Sequence, residues 1–331
     1  MFTDLPLDQL RRCQATVTEP ADFAEFWRQT MAEARACSGA VKLDRVDTPL
    51  RAVEVWDVRF GGWGGEPISA WLLTPAGATG PLPGVVQFHG YGGGRGYPLD
   101  ELAWAAAGYA HLVMDNRGQG AGWSVGQTPD PHGAGPQVPG VMTKGIDSPQ
   151  GYYYRRLMAD AVRAVDAMAS LDMVDPDRLV VTGGSQGGAL ALAATAWSGL
   201  VKAVDVRVPF LADIPHALEL TDSEPYGELV RYLASRPEAK SQVGVFDVLA
   251  YFDSANLARY ATAPAVFAVG LIDDITPAST VFAAYNNYAG PKDIAVYRFN
   301  GHEAGGTLDL ERALTFFNHQ LGLCQEPAPG H

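Results

Sequence analysis

Ser185 stands in Gly183-Gly184-Ser185-Gln186-Gly187, a G-x-S-x-G pattern. Glycines at those positions permit a strained strand-to-helix turn that exposes the serine hydroxyl. A serine hydroxyl is a poor nucleophile at neutral pH, so it needs a base and a group that orients the base. With the chain order serine, acid, histidine, the base comes from His216, His302, His319 or His331. His302 lies in the turn NGHEAGG after the apolar run IAVYRF, at the strand end where open α/β sheets build their sites. The other three fall in a helical stretch, the final helix and the last position. The preceding apolar run, AVFAVGL, is followed by Asp273 and Asp274. One orients the histidine while the other is a solvated carboxylate or a helix N-cap, and their spacing does not choose between them.

Acyl transfer through such a serine also needs two preorganised N–H donors for the developing oxyanion. The residue after the nucleophile, Gln186, supplies one. The loop His89-Gly90-Tyr91-Gly92-Gly93, after the run VVQF, is of the HGGG type and makes Tyr91 the candidate for the second. His89 itself is expected to be a structural histidine at a strand end. The alternative reading of the glycines, a nucleotide-binding turn, lacks a GxGxxG or a P-loop lysine. This machinery needs no metal or cofactor, and candidate ligands such as Asp130 and His132 are too scattered to suggest one.

The elements that must position these residues are legible as an alternating pattern. Apolar runs such as GVVQFH, AHLVMD, RLVVTG, VKAVDVRV, PAVFAVGL and IAVYRF are separated by helical segments, as a parallel sheet covered on both faces requires. Before them, a stretch starting at Thr18, a candidate N-cap, carries Phe23, Phe26, Trp27, Met31 and Ala34 at helical spacing. RAVEVWDVRF and PISAWLLTP, joined by GGWGGE, read as a hairpin at a sheet edge. The expected organisation is one α/β domain over residues 1–331, with the helix and hairpin in 1–75 and a helical insertion at about 210–260. Residues 117–151, rich in Gly and Pro, form too long a βα connection to be ordinary and are expected to fold over the active site.

Composition narrows the function. The chain has 331 residues, 47% hydrophobic and 18% charged, with a net charge of −13 and no Lys/Arg-rich block. Such a field repels polyanions, so neither nucleic acid nor an anionic membrane surface is an expected partner. The start, MFTDLPLDQLRRCQ, has no apolar stretch of signal-peptide length, and a cytoplasmic location is expected. Cys13, Cys37 and Cys324 are an odd number at wide spacings and are expected to be reduced bystanders.

Taken together, HGYGGGRG, MDNRGQGAGW, GGSQGG, the His302-Glu303 pair and DFAEFWRQTMAEAR near the start resemble carbohydrate esterase family 7, the acetyl xylan esterases and cephalosporin-C deacetylases. The family's RGQ, GxSQGG and HE motifs match Arg117-Gly118-Gln119, Gly183 to Gly188 and His302-Glu303. The resemblance implies an α/β-hydrolase fold, with a mostly parallel central sheet flanked by helices. It implies a serine esterase that removes acetyl groups from acetylated xylooligosaccharides and related small acetyl esters such as cephalosporin C. It assigns Ser185 as nucleophile, His302 as base, Asp273 as acid and the N–H groups of Tyr91 and Gln186 as the oxyanion hole. Arg117 and Gln119 would support the site, Arg117 alternatively serving as a loop-end salt bridge. A homo-hexamer enclosing its active sites is also implied. One departure stands out: in VRVPFL, Arg207 occupies a position commonly acidic in the family, which bears on the alcohol-side preference. The alternatives are a general short-chain carboxylesterase and a non-catalytic binding protein of the same fold.

Overall fold

The computed structural model describes residues 4–37, 39–133 and 136–323. Cys324 and His331 lie outside them. The strands are β1 (Lys42–Val46), β2 (Val53–Gly61), β3 (Pro67–Pro75), β4 (Leu82–Phe88), β5 (Ala110–Met114), β6 (Val174–Gly184), β7 (Val201–Arg207), β8 (Ala265–Gly270) and β9 (Lys292–Tyr297). They form one sheet in the order β1-β2-β3-β5-β4-β6-β7-β8-β9. Pairing is antiparallel from β1 through β3 to β5 and parallel from β5 to β9.

The central strands are apolar at consecutive positions because both faces are covered. Val86, Val181 and Val204 belong to the large core that includes the helices Tyr153–Ala169 and Gln186–Trp197. Their neighbours Val85, Val180 and Ala203 point the other way, into a smaller core with Trp104, Ala313 and Phe317. This is the architecture expected of an α/β-hydrolase fold. The helix Tyr153–Ala169 and the helix that follows Ser185 are buried almost throughout, so the serine's turn rests on rigid elements.

Two expectations need correction near the start. The hairpin of β2 and β3 forms, with Gly61 opposite Pro67, yet β1 lies outside it and takes the sheet edge. β1 reads KLDRV and is largely exposed, so no apolar alternation marks it. The first long helix runs over Phe23–Ala36 with Asp22 as N-cap, not from Thr18. Pro20 explains the difference, since the residue before a proline disfavours the helical conformation. The anticipated apolar face is buried, and Trp27 stacks on Trp197 at 6.2 Å.

Between β7 and β8 lie the helices Ile214–Leu220, Tyr226–Ala234, Ala239–Leu249 and Ser254–Leu257, the helical insertion read from the sequence. The long connection after β5 has little regular structure but is built on polar contacts. Asp115 Oδ2 accepts from the backbone N–H groups of Gln127 and Thr128 and from the Thr128 hydroxyl, at 2.7 to 2.9 Å.

Candidate active site

Ser185 sits between β6 and the helix Gln186–Trp197 with φ 58° and ψ −123°, a conformation rare for any residue with a Cβ. The residues two positions to either side of it need to be glycine for space. A Cβ on Gly183 would lie 2.2 Å from the Gly187 carbonyl oxygen, and one on Gly187 would lie 2.1 Å from that of Phe88. The turn is held by the Ser185 N–H donating to Arg207 O and by Phe210 N–H donating to Ser185 O, at 2.9 and 3.0 Å. The loop after β4 runs alongside, so that a Cβ on Gly90 would be 3.7 Å from that of Ser185.

His302 lies in the turn after β9, and its Nδ1 is 2.9 Å from Asp273 Oδ2. Asp273, after β8, is buried and fixed on every side. Its Oδ1 accepts from Ile275 N–H and Thr276 N–H, and its Oδ2 from the Thr276 hydroxyl. Asp274 is exposed, and among the described residues its carbonyl, not its carboxylate, is engaged, by the Thr221 hydroxyl. Geometry therefore separates two carboxylates that spacing could not. Glu303 shapes the histidine's turn by accepting from Gly301 N–H and Asn300 Nδ2, both at 3.1 Å. Ser185, His302, Tyr91 and Trp123 all line one cavity of about 600 Å³.

Tyr91 lines this cavity, and a hydrogen-bonded lattice ties its loop to the buried Gln186, the residue after the serine. Gln119 Oε1 accepts from Gly92 N–H at 2.6 Å, while its Nε2 donates to Gln186 Oε1 and Tyr153 Oη. The buried Gln186 side chain also accepts from Tyr154 Oη and donates to His89 O. The two loops that carry the candidate oxyanion donors are thus tied through Gln119, and neither the Tyr91 nor the Gln186 backbone N–H has a protein acceptor among the described residues. The Tyr91 hydroxyl donates to Glu228 and accepts from Val141 N–H, joining this loop to the insertion and to the long connection. Burial raises the pKa of both Tyr91 and Glu228.

Arg117 acts at one remove. Its guanidinium is fully buried and pairs with Asp160, Glu66 and Asp130, while its carbonyl accepts from Tyr153 Oη at 2.6 Å. It pins the β2–β3 turn through Glu66 and, through Tyr153, supports Gln119. Both readings of Arg117, salt bridge and buttress, describe part of this arrangement.

Asp130 and His132 are not scattered: with Glu66, their ligand atoms lie within 4.8 Å of one another. The chain folds them back onto the β2–β3 turn. Their charge is already met by Arg117, Lys144 and Arg156, and His132 Nε2 lies 2.6 Å from Glu66 Oε1. Burial would raise Asp130, yet the hydrogen bonds from Arg156 and Lys144 hold it at about 2. Three cations on one carboxylate cluster make an ion-pair network that leaves little negative charge for a metal ion. His89 is buried at the edge of the cavity, and burial pushes it down to about 4, which suits a neutral structural imidazole.

The motifs did not reveal Glu228, Asp160 or Trp123 as contributors. Trp123 lay within a quoted motif, but nothing in its spacing says that its indole N–H would donate to Tyr91 O at 2.9 Å.

Comparison with known proteins extends the geometry. The acetyl xylan esterase (AXE1) family matches residues 1–320. The fold is similar to that of an acetyl xylan esterase from Paenibacillus sp. R4, 38% identical with a TM-score of 0.90, over 95% of this chain and 99% of that one. It is also similar to acetyl xylan esterase 1 from Thermoanaerobacterium sp. JW/SL YS485, 34% identical with a TM-score of 0.89, over 96% and 99% of the two chains. The acetyl esterase Axe7A of Xylanibacter ruminicola is 27% identical over 286 residues, 86% of this chain, and the chain spans 63% of that protein's length.

Proposed function

Because the chain belongs to the acetyl xylan esterase family, we propose that it is a serine esterase that removes acetyl groups from acetylated xylooligosaccharides and related small acetyl esters such as cephalosporin C. The observation that carries the reading is the meeting, in one cavity, of a strained serine and a histidine held by a buried carboxylate.

Ser185 Oγ attacks the acetyl carbonyl carbon while His302 Nε2 takes its proton. Asp273, at Nδ1, fixes the imidazole tautomer and stabilises the imidazolium. The negative charge that develops on the carbonyl oxygen is met by the Tyr91 and Gln186 N–H groups, which are preorganised by the Gln119 lattice. The tetrahedral intermediate expels the alcohol, protonated by His302, and leaves Ser185 acetylated. Water, deprotonated by His302, then attacks the acetyl-enzyme; acetate departs and Ser185 regains its proton.

The family resemblance supports a homo-hexamer acting on small molecules, the acidic balance argues against polyanionic partners, and we take the cytoplasm as its location. No helix among the described residues is long and apolar enough to cross a membrane. Light scattering should give a mass near six times 35.3 kDa, and an active monomer would remove the hexamer from the reading. The direct test of the chemistry is turnover of 4-nitrophenyl acetate and covalent labelling by an organophosphorus reagent. Labelling belongs at Ser185, and Ser185→Ala should abolish both signals. Labelling elsewhere with loss of activity overturns the assignment.

A further inference from the structure

The cavity that holds Ser185 and His302 is lined by two kinds of chemistry. One is aromatic. Trp123 is 64% exposed, yet its ring is fixed by the hydrogen bond from Nε1 to Tyr91 O and by close packing on Gly93. A Cβ on Gly93 would meet Trp123 Cζ2 at 2.5 Å, so the indole lies directly on bare backbone. The other is polar and charged: Gln87, Glu101 and Arg207 line the same space. Arg207 closes β7, and its own carbonyl accepts the Ser185 N–H, so its side chain departs from backbone that touches the nucleophile's turn.

Two buried nitrogens at this cavity, Arg207 Nε and His89 Nε2, have no hydrogen-bond partner among the described residues. Arg207 Nε is 3.2 Å from Asp205 Oδ2, but the pair is misaligned for a hydrogen bond, and Asp205 is already engaged by the Thr182 hydroxyl. Glu101 is half-buried. Burial raises its pKa, and a side-chain hydrogen bond from Gln87 and the Arg207 charge oppose the rise. Arg207 Nε is sealed off beside Asp205, but the side chain as a whole is 26% exposed and makes no hydrogen bond among the described residues, so a cation and a carboxylate within its field border the space beside the reacting serine.

We infer that Arg207 and Glu101 form the recognition site for the alcohol part of the ester, and that they take adjacent hydroxyls of a neutral, polyhydroxylated leaving group while its ring packs on Trp123. The inference rests on the acetyl esterase reading above and names what leaves. A guanidinium only donates hydrogen bonds and a carboxylate only accepts them. Adjacent hydroxyls on a sugar satisfy both at once, one oxygen accepting and one O–H donating. A plain apolar alcohol would desolvate both groups without a replacement partner. An alcohol carrying a carboxylate, such as that of cephalosporin C, would meet one Arg207, itself beside Asp205, against Glu101 and Glu303 in the same lining, so it is held less well than a neutral sugar. Sugar rings present C–H faces that pack on an exposed indole, as apolar surface does on any aromatic ring.

The test compares kcat/KM for acetylated xylotriose, 4-nitrophenyl acetate and the anionic ester cephalosporin C in the wild type, Arg207→Ala and Glu101→Gln. Losing a charge-assisted hydrogen bond should lower the ratio of acetylated xylotriose to 4-nitrophenyl acetate about tenfold in Arg207→Ala, chiefly through KM. Glu101→Gln should lower the same ratio by less and raise relative activity on cephalosporin C. Glu101→Gln preserves shape and carries the test alone should Arg207→Ala fail to fold. Unchanged ratios in an active wild type overturn the inference and leave the esterase reading standing. A larger loss on cephalosporin C than on xylotriose in Arg207→Ala also overturns it, by assigning Arg207 to a carboxylate. A wild type inactive on all three esters overturns the esterase reading itself.

Discussion

His302 Nδ1 lies 2.9 Å from Asp273 Oδ2, on a carboxylate that three other donors, Ile275 N–H, Thr276 N–H and the Thr276 hydroxyl, already hold in place. The imidazole is thereby oriented by a group that cannot itself turn away. Asp273→Asn replaces an acceptor with an amide whose N–H₂ opposes Nδ1–H and favours the wrong tautomer. In the worked serine-protease case this substitution lowers kcat by about ten-thousandfold, and a loss of that order is expected here. Asp274→Asn, at an exposed position, should change kcat less than about threefold, within the range of surface substitutions. Steady-state kinetics on 4-nitrophenyl acetate rank the two, and the reverse order would show that the neighbouring carboxylate carries the role.

The approach of Gly187 to the Phe88 carbonyl is the tightest constraint on the serine's turn. Gly187→Ala would drive a methyl group to 2.1 Å from a backbone oxygen that cannot rotate away, because β4 is paired on both sides. Overpacking of this kind costs about 1–3 kcal/mol. Since the strain falls on the turn that aims Ser185 and on the strand that leads to Tyr91, activity should fall beyond what stability explains. Thermal unfolding and organophosphorus labelling of the same preparation separate the two, and a fully active, equally stable variant would contradict the geometry.

Local motifs made much of this site legible. G-x-S-x-G, the glycine loop around Tyr91 and the turn holding His302 each combine a chemical residue with backbone requirements only a few residues away, so type and spacing suffice. The central strands were legible for a similar reason, since burial on both faces leaves continuous apolar runs. What escaped depends on encounters across the chain. The Glu228 contact with Tyr91 joins residues 137 apart, and that of Arg117 with Asp160 joins residues 43 apart. The choice of Asp273 over Asp274 came from the family resemblance and not from spacing, because adjacent identical residues do not encode side-chain direction. Asp130 and His132 were misjudged because linear spacing hid the fold-back that sets them beside Glu66. β1 escaped because an exposed edge strand needs polar residues, which erase the alternation that would mark it.

Arg117 is the cation on which this hidden network depends. Its side chain and that of Asp160 are fully buried, so Arg117→Ala leaves Asp160 with neither its cation nor solvent to compensate it, while Asp130 keeps Arg156 and Lys144. Removing one partner of a buried pair costs about 3–5 kcal/mol. For contrast, Arg178 and Asp175 are both about a third exposed, and Arg178→Ala should leave the unfolding midpoint almost unchanged. Urea unfolding of both variants measures the difference. Because Arg117 O also accepts the Tyr153 hydroxyl that supports Gln119, esterase activity in Arg117→Ala should fall even well below its unfolding midpoint. Equal stabilities for the two variants would mean that the buried cluster is not ionised as drawn.

His89 and His111 give the fold a dependence on pH whose sign is determined by their burial. Burial pushes His89 down to about 4, against the opposing charges of Asp115 and Asp100, and pushes His111 down to about 3. Both imidazoles are neutral in the folded chain at pH 7. In the unfolded chain they protonate near 6.5, so between about pH 6.5 and pH 4 unfolding takes up protons that the native state does not bind. Stability is therefore greatest above 6.5 and falls as the pH drops towards the folded values, by up to about 1.4 kcal/mol per pH unit for each group. Other carboxylates contribute to acid unfolding as well, so the informative quantity is a difference in slope. His111→Gln keeps a polar side chain between Gln87 and Glu101 and removes one titrating group. Its Tm should be lower at pH 7.5 but should decline less steeply towards pH 4.5 than that of the parent chain. Parallel Tm curves for the two proteins would mean that His111 takes up its proton in the native state, and that the buried imidazole is not the source of the acid sensitivity.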